Sequence, residues 1–560
     1  MIAQRWNLKY LFLFLAVMVA LFAVAQTVSA EPLKVRVQPS GETFAKAYVI
    51  TGEMRTYFGS VEEGTLPYEY RWEFSNGGDT PFAPVTTNLR FISMDHVYDT
   101  FGTHWARLTV QDSLGAQSSA TINLQVIAVG DDDLSRRKNS AVDRGLRYLY
   151  LQEWSTSDGC LWMGSGVPIA STGIALIAFE NHAHNLQSPD SDIYKKSVEA
   201  GVRYLLNNAY DVDLSVQACI GDPEADDGDS DNDGKGVVFS WFGPDAYDEE
   251  MYIDPIAVLA MVNSCDKATA QTRTAVTTDQ TRFVNGMTLW DIIVDAKDFL
   301  AFAQNEGRGW QNWECRDEED SGVEIKTGGL SIKDLEAWKE NPTTCPGVFT
   351  VNWGDGSPPE DYAGDDEYCP DSAEIEEEDY NVHTYAAPGT YTVSVSHQGE
   401  LICSVNINVT ENITVCGASG WRYERNYYDA DNSVAQWPVL ALEEARNRWD
   451  INVNPLVITE LDGWLEYSQN PDSGGFGYHG PNDWVNFAKT AAGVAMLHYC
   501  GYDETEPRMQ SALGFLDDNW DVPGSDEDGN LGNYYAMYAF YKGMKYLNKI
   551  NLYGRDWEEL

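Results

Sequence analysis

Asp429-Ala430-Asp431-Asn432-Ser433 places two carboxylates two residues apart, directly ahead of a helical pattern that carries Gln436-Trp437. The pair is the sharpest candidate for acid catalysis in the chain. The same residues also suit a helix N-terminus, where Asp, Asn and Ser side chains accept hydrogen bonds from free N–H groups and the helix dipole favours negative charge. Capping is the reading these residue types favour. Further on, Phe476, Tyr478, His479 and Asp483 fall on a Gly/Pro-rich turn. Together with Trp421, Tyr423, Trp437 and Trp484 they would offer aromatic faces for stacking on sugars, beside titratable groups. Such residues are more often turn-packing core, and His479 and Asp483 are the least core-like of the set. A third group, Asp229, Asp231 and Asp233 followed by Gly234, sets acids at positions 1, 3 and 5 and glycine at 6 of an oxygen-ligand loop of the kind that holds Ca²⁺. Position 12 is Ser240, so Asp245, Asp248 or Glu249 would have to complete the shell; a solvated acidic loop is the other reading. No catalytic set is complete, and no residue is assigned as catalytic.

The elements that carry these residues lie in a chain expected to work outside the cytoplasm. Arg5 and Lys9 precede an apolar run from Leu11 to Ala25, and Val28-Ser29-Ala30 forms a small-residue cleavage pattern ahead of Glu31. This reads as a secretory signal peptide over residues 1–30, the run being shorter than the ~20 residues of a spanning helix. No later stretch is apolar enough to insert in a membrane after cleavage. The chain has 37 basic and 87 acidic residues; two of the basic ones would leave with the signal, taking the formal charge from -50 to -52. Such a field repels nucleic acid and anionic lipid and attracts cations. Nine cysteines suit an oxidising space, and the odd count leaves one unpaired. Cys345 with Cys416 across the base of a β-rich segment, and Cys369 with Cys403 inside it, is the pairing expected first, although connectivity does not follow from sequence.

Residues 31–129 alternate in short strands with Gly-rich turns, as in Tyr68 to Phe74 before Asn76-Gly77-Gly78. Trp72-Glu73-Phe74-Ser75-Asn76-Gly77, His96-Val97-Tyr98, Gly102 and Leu108-Thr109-Val110 resemble the marks of polycystic-kidney-disease (PKD) domains, which are Ig-like β-sandwiches. A second copy within 316–415 is plainer: Trp353-Gly354-Asp355-Gly356, His383-Thr384-Tyr385 and Pro388-Gly389-Thr390-Tyr391. The resemblance implies that the Trp, His and Tyr of each copy pin the sandwich rather than touch a ligand. Residues 130–140 read as a polar linker, with Ser140 capping the helix that follows and Asp143 at its third position.

Beyond the linker the period becomes helical and a frame repeats. An apolar residue, a usually small one three later, then an aromatic and an aliphatic recur as Val142/Gly145/Tyr148-Leu149, Val198/Gly201/Tyr204-Leu205, Ile293/Ala296/Phe299-Leu300, Ile458/Leu461/Trp464-Leu465 and Met509/Ala512/Phe515-Leu516. Each is followed by an Ala-rich helix: 170–179, 255–262, 434–442, 488–497 and 534–541. Small residues at that density let helices approach closely, as an inner ring of hairpins requires. Gln152 before Gly159 and Trp162, Gln304 before Gly309-Trp310, and Gln469 before Gly474-Gly475-Phe476 resemble the repeat of the terpenoid-cyclase and protein-prenyltransferase α/α toroids. In that family the Gln hydrogen-bonds backbone groups at a helix end and the ring packs over the turn, so the motif marks a fold and not a chemistry. Cyclases of this family carry D-x-D-D where this chain has Asp429, Asp431 and then Asn432 in place of the last acid. The Asp, Cys and His zinc set of prenyltransferases and the G-C-G-E-Q string of thioester proteins are absent.

The expectation is thus a multidomain chain: an all-β PKD-like sandwich over 31–129, then an all-α (α/α) toroid over 141–315 and 416–560, with a second PKD-like β-sandwich inserted at 316–415. The function expected first is a secreted or cell-surface, non-catalytic binding or adhesion protein for extracellular polysaccharide or a surface protein. Its candidate toroid mouth is Trp421, Tyr423, Asp429, Asp431, Trp437, Phe476, Tyr478, His479 and Asp483. Ca²⁺ at Asp229, Asp231 and Asp233 is the one cofactor indicated. An extracellular polysaccharide lyase or glycosidase on the toroid is the alternative, and a degenerate terpenoid-cyclase-like enzyme comes third.

Overall fold

The computed structural model describes residues 32–37, 47–86, 89–130, 133–164, 167–217, 219–225, 233–241, 243, 250–305, 419–426, 430–523, 529–549 and 551–555, with separate strands between 314 and 409. The expected signal peptide, Asp229, Asp231, Asp429, Cys345, Cys369, Cys416, His383 and Tyr385 lie outside the described residues. The chain forms two compact units, 1–152 with 181–199, and 153–180 with 200–560. The first is built on an N-terminal β region and the second carries the helical region. Among the described residues no helix is long and apolar enough to cross a membrane.

In the first unit, β1 (Lys34–Val37), β3 (Met54–Glu62) and β6 (Ile92–Val97) make one antiparallel sheet, in the order β1-β3-β6. A second sheet runs β2 (Ala47–Ile50), β8 (Gln117–Ile127), β7 (Gly102–Gln111), β4 (Glu69–Phe74) and β5 (Ala83–Pro84), with β2 parallel to β8. Alternate residues of both sheets, among them Tyr57, Trp72, Phe74, Tyr98, Leu108 and Val110, form one buried core. The expected pinning residues pack there. His96 lies flat on Phe74 at 3.7 Å, and the Tyr98 hydroxyl donates to Trp105 O at 2.7 Å. Asn76, where PKD domains usually carry Asp, bonds His96 Nε2 through Oδ1 and donates to Val97 O through Nδ2, a donor that Asp lacks.

The expected linker is helical. Helix α1 spans Leu134–Gln152, and Asp133, seven residues before Ser140, accepts from Arg136 N at 3.1 Å and so supplies the cap. Ser140 and Asp143 lie inside the helix. Its buried stripe is Asp143, Leu146 and Tyr150, while Tyr148 of the repeated frame is 63% exposed. This corrects both the linker and the place of the first repeat: α1 belongs with the β unit. Tyr150 stacks on Phe58 at 5.3 Å, its hydroxyl donates to Arg90 O, and Asp143 forms a buried ion pair with Arg55.

The second unit contains α2 (Pro168–Glu180), α3 (Lys195–Asn207, shared by sequence between the two units), α4 (Glu250–Asn263), α5 (Leu289–Phe302), α6 (Asn432–Trp449), α7 (Pro455–Ser468), α8 (Phe487–Tyr499), α9 (Pro507–Asp518) and α10 (Tyr534–Tyr546). The Ala-rich helices pack in series: α2 on α4, α4 on α6, α6 on α8, α8 on α10. Glycine sets the spacing, since a Cβ on Gly173 of α2 would sit 2.7 Å from Ile256 Cγ2, and one on Gly543 of α10 would sit 2.9 Å from Val494 Cγ1. Tyr204, Phe299 and Trp464 of the repeated frame are buried.

The Gln residues of the joints divide. Gln304 Nε2 donates to Ser419 O and to Val457 O in the first turn of α7, and Gln469 Nε2 donates to Gly474 O and to Arg508 O in the first turn of α9. Gln152 is exposed at the end of α1. Asn305 N donates to Gly420 O at 3.0 Å, so the chain ends flanking 306–418 meet. Between them, β9 (Phe349–Asn352), β10 (Glu360–Tyr362), β11 (Gly389–His397) and β12 (Glu400–Val409) form an antiparallel sheet in the order β10-β9-β11-β12, with Trp353 buried beside it. Cys219 is disulfide-bonded, and Cys265 and Cys500 are free thiols.

Removing one member of a buried ion pair leaves an uncompensated charge, at a cost of about 3–5 kcal/mol. Asp143→Asn should lower the unfolding free energy of the first unit by that order in urea denaturation. An unchanged midpoint would show that α1 is not anchored through Arg55.

Candidate functional site

The first turns of the inner helices converge, because the side chains that start them bond to one another. Tyr252 in α4 donates from its hydroxyl to Ser433 Oγ in α6 at 3.3 Å. Tyr535 in α10 donates to Ser433 O at 2.7 Å, and Gln436 Nε2 bonds the Tyr535 hydroxyl. Trp437 stacks on Tyr538 at 5.8 Å. The turn ahead of α8 joins this group through Asn432, whose N–H donates to Tyr478 O at 3.2 Å and whose Nδ2 donates to Gly477 O at 2.9 Å. Asn432 Oδ1 accepts from Trp464 Nε1 at 2.8 Å. This residue therefore needs an amide: the carboxylate a cyclase has there would set an acceptor against the Gly477 carbonyl.

Asp431 is fully buried and caps α6, Oδ1 accepting from Ser433 N at 2.7 Å. Oδ2 accepts no hydrogen bond from the described residues. Burial holds the carboxyl above its ordinary range, opposed by the Ser433 and Tyr478 contacts and by the nearby His479. Burial likewise pushes the Tyr478 phenol up, and its hydroxyl lies 2.9 Å from that of Tyr423. His479 Nδ1 donates to Ala430 O at 3.1 Å, and His479 N donates to Asp483 Oδ2 at 3.2 Å. Asp483 is thus a turn-closing acceptor with an exposed side chain.

Two of the expected mouth residues are corrected. Trp421 and Phe476 are fully buried, Trp421 donating from Nε1 to Leu300 O at 2.8 Å and Phe476 lying where a Cβ on Gly493 would come within 2.4 Å of its ring. Both rings are core, the reading that turn packing implied for the whole aromatic set. Trp437 is 6% exposed and belongs to the tyrosine cluster. Tyr423, Tyr478 and His479 are half-buried, and Tyr423 stacks on Tyr252 at 5.7 Å.

The ring that does reach solvent is Trp484, 50% exposed at φ +46°, a left-handed backbone that bulky residues rarely adopt. It lies 6.2 Å from the Tyr478 ring and 4.1 Å from the ammonium of Lys489, which is buried beneath both rings in the first turn of α8. Tyr252, Lys489, Tyr535 and Tyr538 were not singled out from sequence. Their common signal is position, each lying in the first or second turn of a repeated inner helix. Of the three acids of the expected cation loop only Asp233 is described, and its Oδ1 accepts from Lys235 N at 2.9 Å. The described residues hold no group of three or more His, Cys, Asp or Glu placed to ligate a metal.

No protein-family model matches the chain, and no curated protein matches it. Among solved structures, the PKD domain of a peptidase from a Thermoplasmatales archaeon aligns at 15% identity and a TM-score of 0.15, covering 17% of this chain and 94% of that one. A family 76 glycoside hydrolase from a bovine Bacteroides thetaiotaomicron strain aligns at 8% identity and a TM-score of 0.34, over 92% of this chain and 85% of that one.

Asn432→Asp should cost about 1–3 kcal/mol by facing a buried acceptor with a carbonyl. Thermal unfolding of the variant checks this, and a midpoint equal to that of the parent would remove Asn432 as the tie between α6 and the 477–478 turn.

Proposed function

We propose that this chain is an exported glycan-binding protein whose helical region presents the Tyr478/Trp484 shelf to a neutral or weakly charged polysaccharide. The observation that carries the reading is Trp484: a large aromatic face left half-exposed on a backbone that costs about 1–3 kcal/mol to hold. Strain of that size persists where the surrounding structure enforces it, and the exposed ring beside Tyr478 supplies the flat apolar face on which a sugar stacks. Binding rather than turnover is supported by Asp431, which caps α6 through Oδ1 and is closed to solvent. The charge of -50 disfavours nucleic acid and strongly anionic polymers. Export rests on the signal-like residues 1–30.

A second reading, a glycosidase or lyase on the same surface, is favoured by one observation. Asp431 keeps a proton more firmly than an ordinary aspartate and lies beside the Tyr478–Tyr423 hydroxyl pair, which is the character of a general acid. A movement of the 477–484 turn would be needed to bring it to a substrate.

A glycan array followed by calorimetry on the protein lacking residues 1–30 separates the two. Trp484→Ala should weaken the best glycan at least tenfold, about 1.4 kcal/mol, with no fall in the unfolding midpoint. Binding that survives this change overturns the shelf. Cleavage of the bound polysaccharide that Asp431→Asn abolishes would replace the first reading by the second.

A further inference from the structure

The Trp484 shelf is the outer end of a longer row of rings, all of them in the second unit. Trp484 lies 6.2 Å from Tyr478, whose hydroxyl meets that of Tyr423 at 2.9 Å. Tyr423 stacks on Tyr252 at 5.7 Å, and Tyr252 lies 6.3 Å from Trp437. Trp437 in turn has Tyr535 at 6.2 Å and Tyr538 at 5.8 Å. The row leads from the turn ahead of α8, past the first turn of α4, into the first two turns of α6 and α10. Rings on inner helices are ordinarily sealed in core, yet all five tyrosines of this row keep part of their surface open. They therefore border an opening. The hydroxyls of Tyr252 and Tyr535 are tied to Ser433, so these two rings are held in place before any ligand arrives.

The row has a floor. One turn beyond Tyr538 on α10, Lys542 Nζ donates to Glu444 Oε1 of α6 at 2.8 Å, and the Tyr546 hydroxyl donates to the same oxygen at 3.4 Å. Lys542 is 1% exposed, and parting a buried ion pair leaves both charges uncompensated, so this level stays closed. Ligand sites are lined by aromatic faces with a few fixed polar groups, and a sugar chain needs one such face after another along its length. Two rings, as at the shelf, suit a disaccharide; a row that continues through Tyr423, Tyr252 and Trp437 suits a longer chain. Because the row stops at a closed level, a chain enters it by an end and does not cross it by its middle. We propose that shelf and row form one track for an unbranched neutral oligosaccharide longer than a disaccharide, its end nearest Tyr538. This inference rests on the glycan-binding reading and adds to it a length and a direction.

Titration calorimetry of the protein lacking residues 1–30 tests this, with cello-, laminari-, xylo- and manno-oligosaccharides from disaccharide to hexasaccharide. In the series that binds, affinity is expected to rise at least tenfold from disaccharide to pentasaccharide. Tyr252→Leu and Tyr423→Leu each keep apolar bulk without a flat face, and either should abolish that rise. Trp484→Ala should weaken short and long members alike. A polysaccharide of the same linkage should take up one protein per chain. Equal affinity at every length, or a rise that survives both leucine variants, overturns the track, while sensitivity to Trp484→Ala would still uphold the shelf. Several proteins bound per chain overturns entry by an end. Absence of saturable binding in all four series overturns the track and the glycan-binding reading together.

Discussion

The close approach of consecutive inner helices is the constraint on which the second unit rests. Gly173 against Ile256 and Gly543 against Val494 leave no room for a methyl group, and Gly493 stands in the same relation to the Phe476 ring. A helix apolar on most of its circumference, as α8 is, must be covered on most sides. Small residues allow α6 and α10 to cover it while outer helices close the remainder. The energetic return is the burial of Val494, Met496, Leu497 and their neighbours.

The same packing determines where chemistry can be placed. When helices stack side by side with their first turns together, their unsatisfied N–H groups gather at one end and demand acceptors. Asp431 and Asn486 answer that demand as caps, and Asn432 goes further by tying the next turn to the helix it starts. Phe476 connects the two levels. Its ring fills the gap that Gly493 leaves, and the residues directly after it carry Tyr478 and His479. The position of the shelf is therefore a consequence of a glycine on a helix fifteen residues downstream of the shelf's first tyrosine.

How much of this was legible in the sequence depends on whether a feature is local. The inner helices could be read from Ala-rich runs, and their packing in chain order follows from each pair needing its neighbour's cover. The joints at Gln304 and Gln469 likewise do what the motif implied, since a turn and the next helix end lie within reach of one side chain. The first repeat shows the limit. Val142, Gly145 and Tyr148 fit the frame, yet the buried stripe of α1 is Asp143, Leu146 and Tyr150, because Arg55 and Phe58, some ninety residues earlier, supply a better partner. Burial of the aromatic candidates was equally invisible. Phe476 and Trp484 lie on one Gly/Pro-rich turn, and the first ring is core because Gly493 of α8 leaves room for it.

The most direct test of the account is native-state amide exchange on Gly493→Ala, with Gly514→Ala as control, since a Cβ at Gly514 meets nothing within 4 Å. If inner-helix spacing positions the shelf, the added methyl must displace the Phe476 ring. Exchange should then quicken at Tyr478 N and Asn432 N, which donate to Asp483 O and Tyr478 O, while the control exchanges as the parent does. Unaltered protection at both amides in Gly493→Ala would show that the turn holds its place without the helices beneath it, and would contradict the account.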